Sequence, residues 1–177
     1  PEERDAYDLW RQSPSVAQRS TVAYAGSLGG MIHAFRAGRY RHGDDPRTPI
    51  RENRGYFDGH DVGDGAELWA FVPSNHAARL KFFLRPDPRV EPPSMDASPV
   101  VHDMAVPTDT GFVFKTVLLS AQGAGGDTLV ALDVTDPEKP SFLWDYADPD
   151  LYRSRAAPAV AKIGRLNDGG APAWAAF

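Results

Sequence analysis

Short runs of apolar and β-branched residues, separated by turns rich in glycine and proline, recur along most of this chain. In residues 31–35 the side chains alternate, which places Met31, His33 and Phe35 on one face of a strand. Similar runs predict about nine short strands, at residues 21–25, 31–35, 67–72, 98–106, 112–121, 128–134, 141–146, 159–163 and 172–177. The pattern is therefore typical of an all-β fold.

One segment has helical spacing instead. Ser74 can cap a helix over residues 74–84, and Pro86 ends it. The apolar stripe of this helix consists of Ala77, Leu80, Phe83 and Leu84. We therefore predict one short helix in a chain that is otherwise built from strands.

Two regions lack a regular pattern. Residues 1–19 are interpreted as a leader segment, with a short helix expected around residues 7–12. Residues 36–65 are rich in Arg, Gly, Asp and Pro, and connections of that length are uncommon in compact domains and often functional. We interpret 36–65 as a long loop insertion in a domain that covers residues 20–177, and we expect it to form a variable contact surface.

The order of strands and turns is repeated along the chain. Each copy has a strand, a Gly-Gly turn and a second strand, and the copies reach a tryptophan at Trp69, Trp144 and Trp174, the third without its middle. A small sheet of this kind cannot bury both of its faces alone, and a tryptophan at a fixed place can fill the space between neighbouring sheets. The repeat predicts part of a modified β-propeller, about two blades plus the start of a third. A sandwich of hairpins is the alternative.

Composition narrows the functional class. The 177 residues include 16 glycines and 16 prolines, which is more than usual but less than in disordered chains. A formal net charge of −5 with scattered basic residues argues against a nucleic-acid surface. There is no cysteine, so disulfides and cysteine-based zinc sites are excluded, and no apolar run has the length of a membrane span. We predict no nucleic-acid partner and no membrane span.

Charged residues in and beside the insertion are the candidates for ion binding. Four acidic residues recur at three-residue steps among glycines: Asp58, Asp61, Asp64 and Glu67. Such carboxylates can bind Ca²⁺, but they can equally belong to a solvated turn, and both interpretations stay open. The densest basic group is Arg36, Arg39, Arg41, Arg47, Arg51 and Arg54. It forms either an anion-binding patch or a solvated loop.

No catalytic set is evident. The histidines are too dispersed for a zinc site, and His33 is predicted to be a hydrogen-bonded packing residue. Ser13, Ser27 and Ser74 lack the Gly-x-Ser-x-Gly elbow, and nothing in the sequence indicates a triad. Residues 123–126 are predicted to be a hairpin turn because they join two strands. We predict that the chain is not an enzyme and that this segment binds no cofactor.

Several motifs together resemble those of the PilC/PilY family of type IV pilus adhesins. VAYAGSLGGMIHAF at residues 22–35 and GAELWAFVP at 65–73 resemble the family pattern V-Y-x-G-x-x-D-G-M-L-H-A-F … G-x-E-x-W-A-F-x-P. Further matches are MDASPVVHD at 95–103, KTVLL at 115–119, and a Gly-Gly pair at 125–126 before ALDVTDP at 131–137. The chain departs from the pattern at Gly29, where the family has Asp, at 112–114, where Phe-Val-Phe replaces a tryptophan, and in its long insertion.

The resemblance implies a modified β-propeller at the end of a large secreted protein, of which we expect this chain to be a piece. Such proteins lie at the cell surface on the pilus tip, exported through the periplasm and outer membrane. They work with minor pilins in pilus assembly and twitching motility, and they adhere to a surface or host-cell receptor. The calcium loop of the family, Asp-x-Asp-x-Asp with a further acidic residue, does not occur in this sequence. The resemblance therefore assigns calcium to the parent protein, outside this chain.

The expected function is that of a pilus-associated adhesin or assembly factor, acting at the pilus tip through protein–protein or surface contacts. Two other functions stay open. Blades with a glycine turn and a tryptophan also resemble quinoprotein dehydrogenases, which hold pyrroloquinoline quinone with tryptophan and calcium ligands that cannot be assembled here. A non-catalytic propeller scaffold in an envelope complex is the second alternative.

Overall fold

The computed structural model describes residues 2–163 and 173–176 of the chain. The helices in this part are α1 (Glu2–Gln12), α2 (Pro14–Ala17) and α3 (Ser74–Ala77), with single 3-10 turns at Asp58–His60, Leu80–Phe83, Gly123–Gly125 and Pro149–Leu151. The strands are β1 (Val22–Gly26), β2 (Ile32–Arg36), β3 (Tyr40–Arg41), β4 (Tyr56–Phe57), β5 (Glu67–Phe71), β6 (Val100–Thr108), β7 (Gly111–Ala121), β8 (Thr128–Asp133), β9 (Ser141–Ala147), β10 (Val160–Ile163) and β11 (Ala173–Ala176). The predicted all-β character is confirmed.

The strands form small antiparallel sheets. The first sheet has the order β1-β2-β5 and the second the order β6-β7-β8-β9, while β10-β11 and β3-β4 are pairs. The hairpin between β1 and β2 closes with a bond from the Ser27 amide to the Met31 carbonyl (3.0 Å), and Gly30 occupies the left-handed region at φ 78°. Only glycine adopts that conformation without strain, which explains the Gly-Gly signal in the sequence.

The two central strands of the four-stranded sheet, β7 and β8, are largely buried on both faces. The face of this sheet toward the first sheet contributes to a core cluster of Ile32, Met95, Leu118, Val130, Leu132 and Val134, with Tyr24, Trp69 and Phe71 packed against it. The opposite face contributes Val117, Leu119 and Ala131, with Met104, Leu129, Leu143 and Val160 packed against them. Strands buried on two faces have continuous apolar runs, which is the pattern of residues 117–119. This layered arrangement of small sheets is that of propeller blades.

A short extended segment at residues 93–97 lies between the first two sheets. Met95 is fully buried, and its amide donates to the Ser27 carbonyl (2.8 Å). A Cβ atom on Gly26 would collide with the Met95 carbonyl, and one on Gly125 would collide with the backbone of Ser94. Glycine is therefore required at both places by close backbone approach, beyond its role in the turns.

The repeat predicted from the sequence is present in the first two sheets and altered in the third. β1-β2-β5 and β7-β8-β9 share one order of strands, and Trp69 and Trp144 lie on corresponding strands. β11 pairs directly with β10, so β11 takes the place that β2 and β8 have in the other copies. The sequence analysis had taken Trp174 as the counterpart of Trp69, and that assignment is wrong. The Gly-Gly turn expected at 169–170 lies outside the described residues.

Two predicted elements differ in the structure. The helix expected over residues 74–84 is divided into α3 and a separate 3-10 turn at Leu80–Phe83, and its stripe is not a buried face, because Phe83 is 50% and Leu84 84% exposed. The leader segment contains α1 and α2 in place of one short helix. Tyr7 and Trp10 of α1 pack on Phe114, with ring centroids 5.2 and 5.7 Å away, so this segment contacts the four-stranded sheet.

Candidate functional site

The insertion at residues 36–65 forms a two-armed ribbon that continues the β2–β5 pairing outward. The arms are joined by a bond from the Arg39 amide to the Asp61 carbonyl (2.9 Å), and the β3–β4 pair follows. Gly38 and Gly63 have positive φ, and a Cβ on either would collide with the opposite arm. The glycines therefore permit the close approach of the arms. The segment treated above as a loop is an ordered structure, which we call the ribbon.

The outer part of the ribbon is closed at residues 43–55. The Gly55 amide donates to the Gly43 carbonyl (2.8 Å), and the Tyr40 hydroxyl donates to the Arg54 carbonyl (2.7 Å). Beyond this closure, residues 46–54 are all exposed. The ribbon thus has a fixed stem and a solvent-facing end, as a recognition loop on a rigid scaffold requires.

The ribbon carries balanced charge despite its arginines. Residues 36–65 contain six arginines and six acidic residues. Its short ion pairs join Arg36 to Asp61 (2.6 Å), Arg47 to Asp45 (2.7 Å) and Arg54 to Glu52 (3.1 Å). Hydrogen bonds from the side chain and backbone of Arg47 lower the pKa of Asp45 to about 2. Internal pairing therefore favours a solvated surface over an anion-binding patch.

The four acidic candidates for a cation site each have a nitrogen partner within the chain. Asp58 pairs with Arg41 (3.6 Å), Asp61 and Asp64 pair with Arg36 (2.6 and 3.7 Å), and Glu67 pairs with His33 (2.6 Å). Within the described part of the chain, no group of three or more histidine or acidic side chains is arranged to hold a metal ion. The four carboxylates are thus distributed along the stem of the ribbon and the start of β5.

A serine, a histidine and a glutamate are linked on the face of the first sheet that points away from the main core. His33 Nδ1 lies 2.6 Å from Glu67 Oε1, and His33 Nε2 lies 3.0 Å from Ser27 Oγ. The order serine, histidine, carboxylate is that of a hydrolase triad. The sequence analysis had not predicted this arrangement. However, the Ser27 hydroxyl also lies 3.2 Å from the Met31 carbonyl, so its one proton has two competing acceptors. The interactions connect the turn to β2 and β5, which agrees with the packing role predicted for His33.

His76 joins the two Gly-Gly turns. It is fully buried, with Nδ1 3.1 Å from the Gly30 carbonyl and Nε2 3.2 Å from the Gly125 carbonyl. Arg79 Nη1 donates to the same Gly125 oxygen (2.6 Å). The sequence analysis did not identify either residue. The signal that could have identified them is their i, i+3 spacing directly after the first repeat, where two sheets must meet.

The turn between β8 and β9 begins with a charged cluster. Lys115 Nζ donates to Asp133 Oδ2 (2.6 Å), while the amide and hydroxyl of Thr135 donate to Asp133 Oδ1 (2.9 and 2.6 Å). Burial alone would raise the pKa of Asp133, but these donors outweigh it and hold the pKa below its ordinary value. Nearby, the Trp69 indole donates to the Pro137 carbonyl (2.8 Å), which links this turn to the first sheet.

Comparisons with known proteins identify relatives over most of the chain. No family model matches it. The type IV pilus biogenesis factor PilY1 of Pseudomonas aeruginosa strain PAO1 is 37% identical over 123 residues, which cover 67% of this chain and 10% of that protein. A PilY1 homologue of Xylella fastidiosa is 31% identical over 154 residues, which cover 86% of this chain and 10% of that protein. The chain therefore spans about a tenth of the length of these relatives.

A solved structure gives the same assignment. The crystal structure of the Pseudomonas aeruginosa PilY1 C-terminal domain is 29% identical and superposes with a TM-score of 0.53, covering 89% of this chain and 24% of that one. No helix among the described residues is both long and apolar enough to cross a membrane. Sequence and structure agree on one relationship, and the chain belongs to the PilC/PilY family, within the β-propeller region of its C-terminal domain.

Proposed function

We propose that this chain is part of a type IV pilus-associated factor that acts at the pilus tip by contact rather than catalysis. The supporting observation is the similarity to proteins named as pilus biogenesis factors over 67–86% of the chain. A cell-surface location, minor pilins as partners, and adhesion to a surface or host-cell receptor belong to the same proposal. Because the chain spans only 10% of those relatives, other regions of the protein share in any such activity.

Within this chain, the ribbon is the proposed contact surface. Its stem is fixed by backbone bonds and the Arg36–Asp61 pair, while residues 46–54 present exposed side chains. A recognition element on a rigid scaffold loses less conformational freedom on binding than a flexible loop does. The mixed charges of this end also fit a protein partner better than a uniformly charged polymer.

The test uses the protein at its natural length, tagged and expressed in piliated cells. Immunogold labelling of sheared pili locates the wild-type protein, and enrichment at filament tips is the expected result. An even distribution along the cell envelope without pilus association would contradict the proposed function.

A second variant tests the ribbon itself. Residues 44–54 are replaced with Asn-Gly, because the Gly55–Gly43 hydrogen bond already brings the ends together and Asn-Gly suits a two-residue hairpin. The matched control replaces Asp109 and Thr110 with serine in the exposed β6–β7 turn. We expect the ribbon variant to be secreted at the wild-type level but to lose binding to the proposed partner, a minor pilin or a surface receptor. The control variant should keep that binding. Equal binding by both variants would remove the ribbon from the proposal and leave pilus association intact.

A further inference from the structure

A second projection follows α3 along the chain, after the ribbon and β5. Residues 80–90 form a loop whose two ends are held together by one side chain. Arg79 donates through Nη2 to the Glu91 carbonyl (2.7 Å) and through Nη1 to the Gly125 carbonyl (2.6 Å). The Glu91 carboxylate in turn contacts Arg153 and accepts from the Tyr152 hydroxyl (2.8 Å). The base of the loop is therefore fixed to the four-stranded sheet, as in a compact Ω-loop.

The outermost part of this loop is apolar. A 3-10 turn at Leu80–Phe83 leads to Leu84, and the adjacent side chains of Phe83 and Leu84 are 50% and 84% exposed. The Phe82 ring contacts the Phe83 ring in an edge arrangement, with centroids 5.9 Å apart. We call Phe83 and Leu84 the apolar tip. A single exposed apolar residue is ordinary, but two adjacent ones on a fixed projection indicate a surface that is covered in use.

Positive charge flanks the apolar tip. Lys81 and Arg85 are exposed, and neither side chain forms an ion pair or hydrogen bond with any residue that the structure describes. The other outer cation, Arg89, is neutralised by Asp87 at 2.8 Å. Two unpaired cations beside an apolar tip are notable in a chain whose net charge is −5.

We propose that this loop inserts its tip into the surface of an anionic lipid bilayer. Phe83 and Leu84 would enter the boundary between headgroups and acyl chains, and Lys81 and Arg85 would meet lipid phosphates. The combination of exposed apolar side chains with flanking Lys and Arg is the one that interfacial membrane segments use. The positive charges of Lys81 and Arg85 favour an anionic lipid, because each basic residue near an anionic surface adds to the attraction. This inference does not depend on the pilus function.

The test is flotation of the purified protein, at its natural length, with vesicles of phosphatidylcholine alone or with about 30% phosphatidylglycerol, whose negative surface potential attracts basic residues. We expect binding to the anionic vesicles only. The double change Phe83→Ser and Leu84→Ser removes the apolar contact and should lower the bound fraction about 10-fold or more. Lys81→Gln with Arg85→Gln should lower it by a similar factor, and added salt should weaken the wild type.

Matched controls come from the same chain. Leu28→Ser alters a leucine that is 73% exposed in the turn between β1 and β2, away from this loop. Arg4→Gln with Lys139→Gln removes two exposed cations that lie outside this loop and outside the ribbon. Both controls should bind vesicles as the wild type does. The proposal is overturned if the wild type does not float, if neutral vesicles bind it equally, or if the controls lose as much binding as the tip variants. Loss of pilus association by the tip variants without wild-type flotation would identify a protein contact instead.

Discussion

The four-stranded sheet and the ribbon both contain antiparallel strands, but different interactions stabilise them. In β7 every side chain from Thr116 to Ala121 is buried, and both faces of this strand are covered there. In the ribbon no residue from 39 to 65 is buried, and the contacts are backbone bonds, ion pairs and half-exposed ring contacts such as Tyr40 against Phe57. Burial supplies free energy in proportion to area, whereas an exposed ion pair supplies about 0–1 kcal/mol.

The difference shows which part of the molecule can vary. A buried side chain of β7 is enclosed by close-packed neighbours, so a change there disturbs the element that packs on that face. A residue at the end of the ribbon touches solvent, and its loss leaves the stem bonds in place. The sheet therefore fixes the position of the projections, and the exposed side chains of the projections can be substituted with little loss of stability.

The largest effect is expected from Leu118→Ala in the middle of β7. Leu118 is fully buried in the cluster between the first two sheets, so the change leaves a cavity and costs about 3 kcal/mol. Hydrogen exchange of the β7 amides should accelerate about 100-fold. Leu84→Ala is the matched control, because Leu84 is 84% exposed. Equal effects of the two changes would mean that the described burial does not determine stability.

The next effect is expected from His76→Ala at the junction of the two Gly-Gly turns. The change removes both ring contacts and leaves the Gly30 carbonyl without this partner, which should cost about 2 kcal/mol. Exchange should accelerate in both turns together, since one side chain joins them. His42→Ala, in the exposed part of the ribbon, should change neither turn. Acceleration in a single turn would show that the sheets are joined by other contacts.

The sequence was sufficient to predict the repeated sheets because their determinants are local. Glycine pairs mark turns that need unusual backbone conformations, and alternating apolar residues mark the strands between them. The two repeats containing Trp69 and Trp144 followed from these signals. The place of Trp174 did not, since a strand's position in a sheet depends on which partner it finds, and spacing along the chain does not determine that.

The projections could not be predicted from local signals. The stem of the ribbon depends on Gly38 meeting a segment more than twenty residues away, and no short pattern announces that contact. The helix expected over 74–84 satisfied helical periodicity, but the bonds of His76 and Arg79 to neighbouring segments accompany a different path. Periodicity reports which side chains can share a face, and only tertiary contacts decide whether that face is covered.

A smaller effect is expected from acid at the Lys115–Asp133 pair, which lies on the central strands β7 and β8 where β8 ends. The pKa of Asp133 is lower in the folded protein than in the unfolded chain, so its contribution is present above the unfolded value of about 4. That contribution is lost as the pH falls through the lower folded value. The urea midpoint of the wild type should therefore fall on acidification below about pH 4, and Asp133→Asn should reduce this dependence. An identical pH profile in the variant would assign the acid sensitivity to other carboxylates.

The smallest effect is expected from Arg54→Ala at the end of the ribbon. The side chain is 78% exposed and pairs with Glu52 at 3.1 Å, so solvent and salt screen the interaction. We expect the free energy of unfolding to change by less than about 0.5 kcal/mol, with no change in β7 exchange. The Tyr40 bond to the backbone carbonyl of residue 54 does not involve the arginine side chain and should survive. A loss of more than about 1 kcal/mol, beyond the range of an exposed pair, would show that the ribbon contributes to the stability of the fold and is not free to vary.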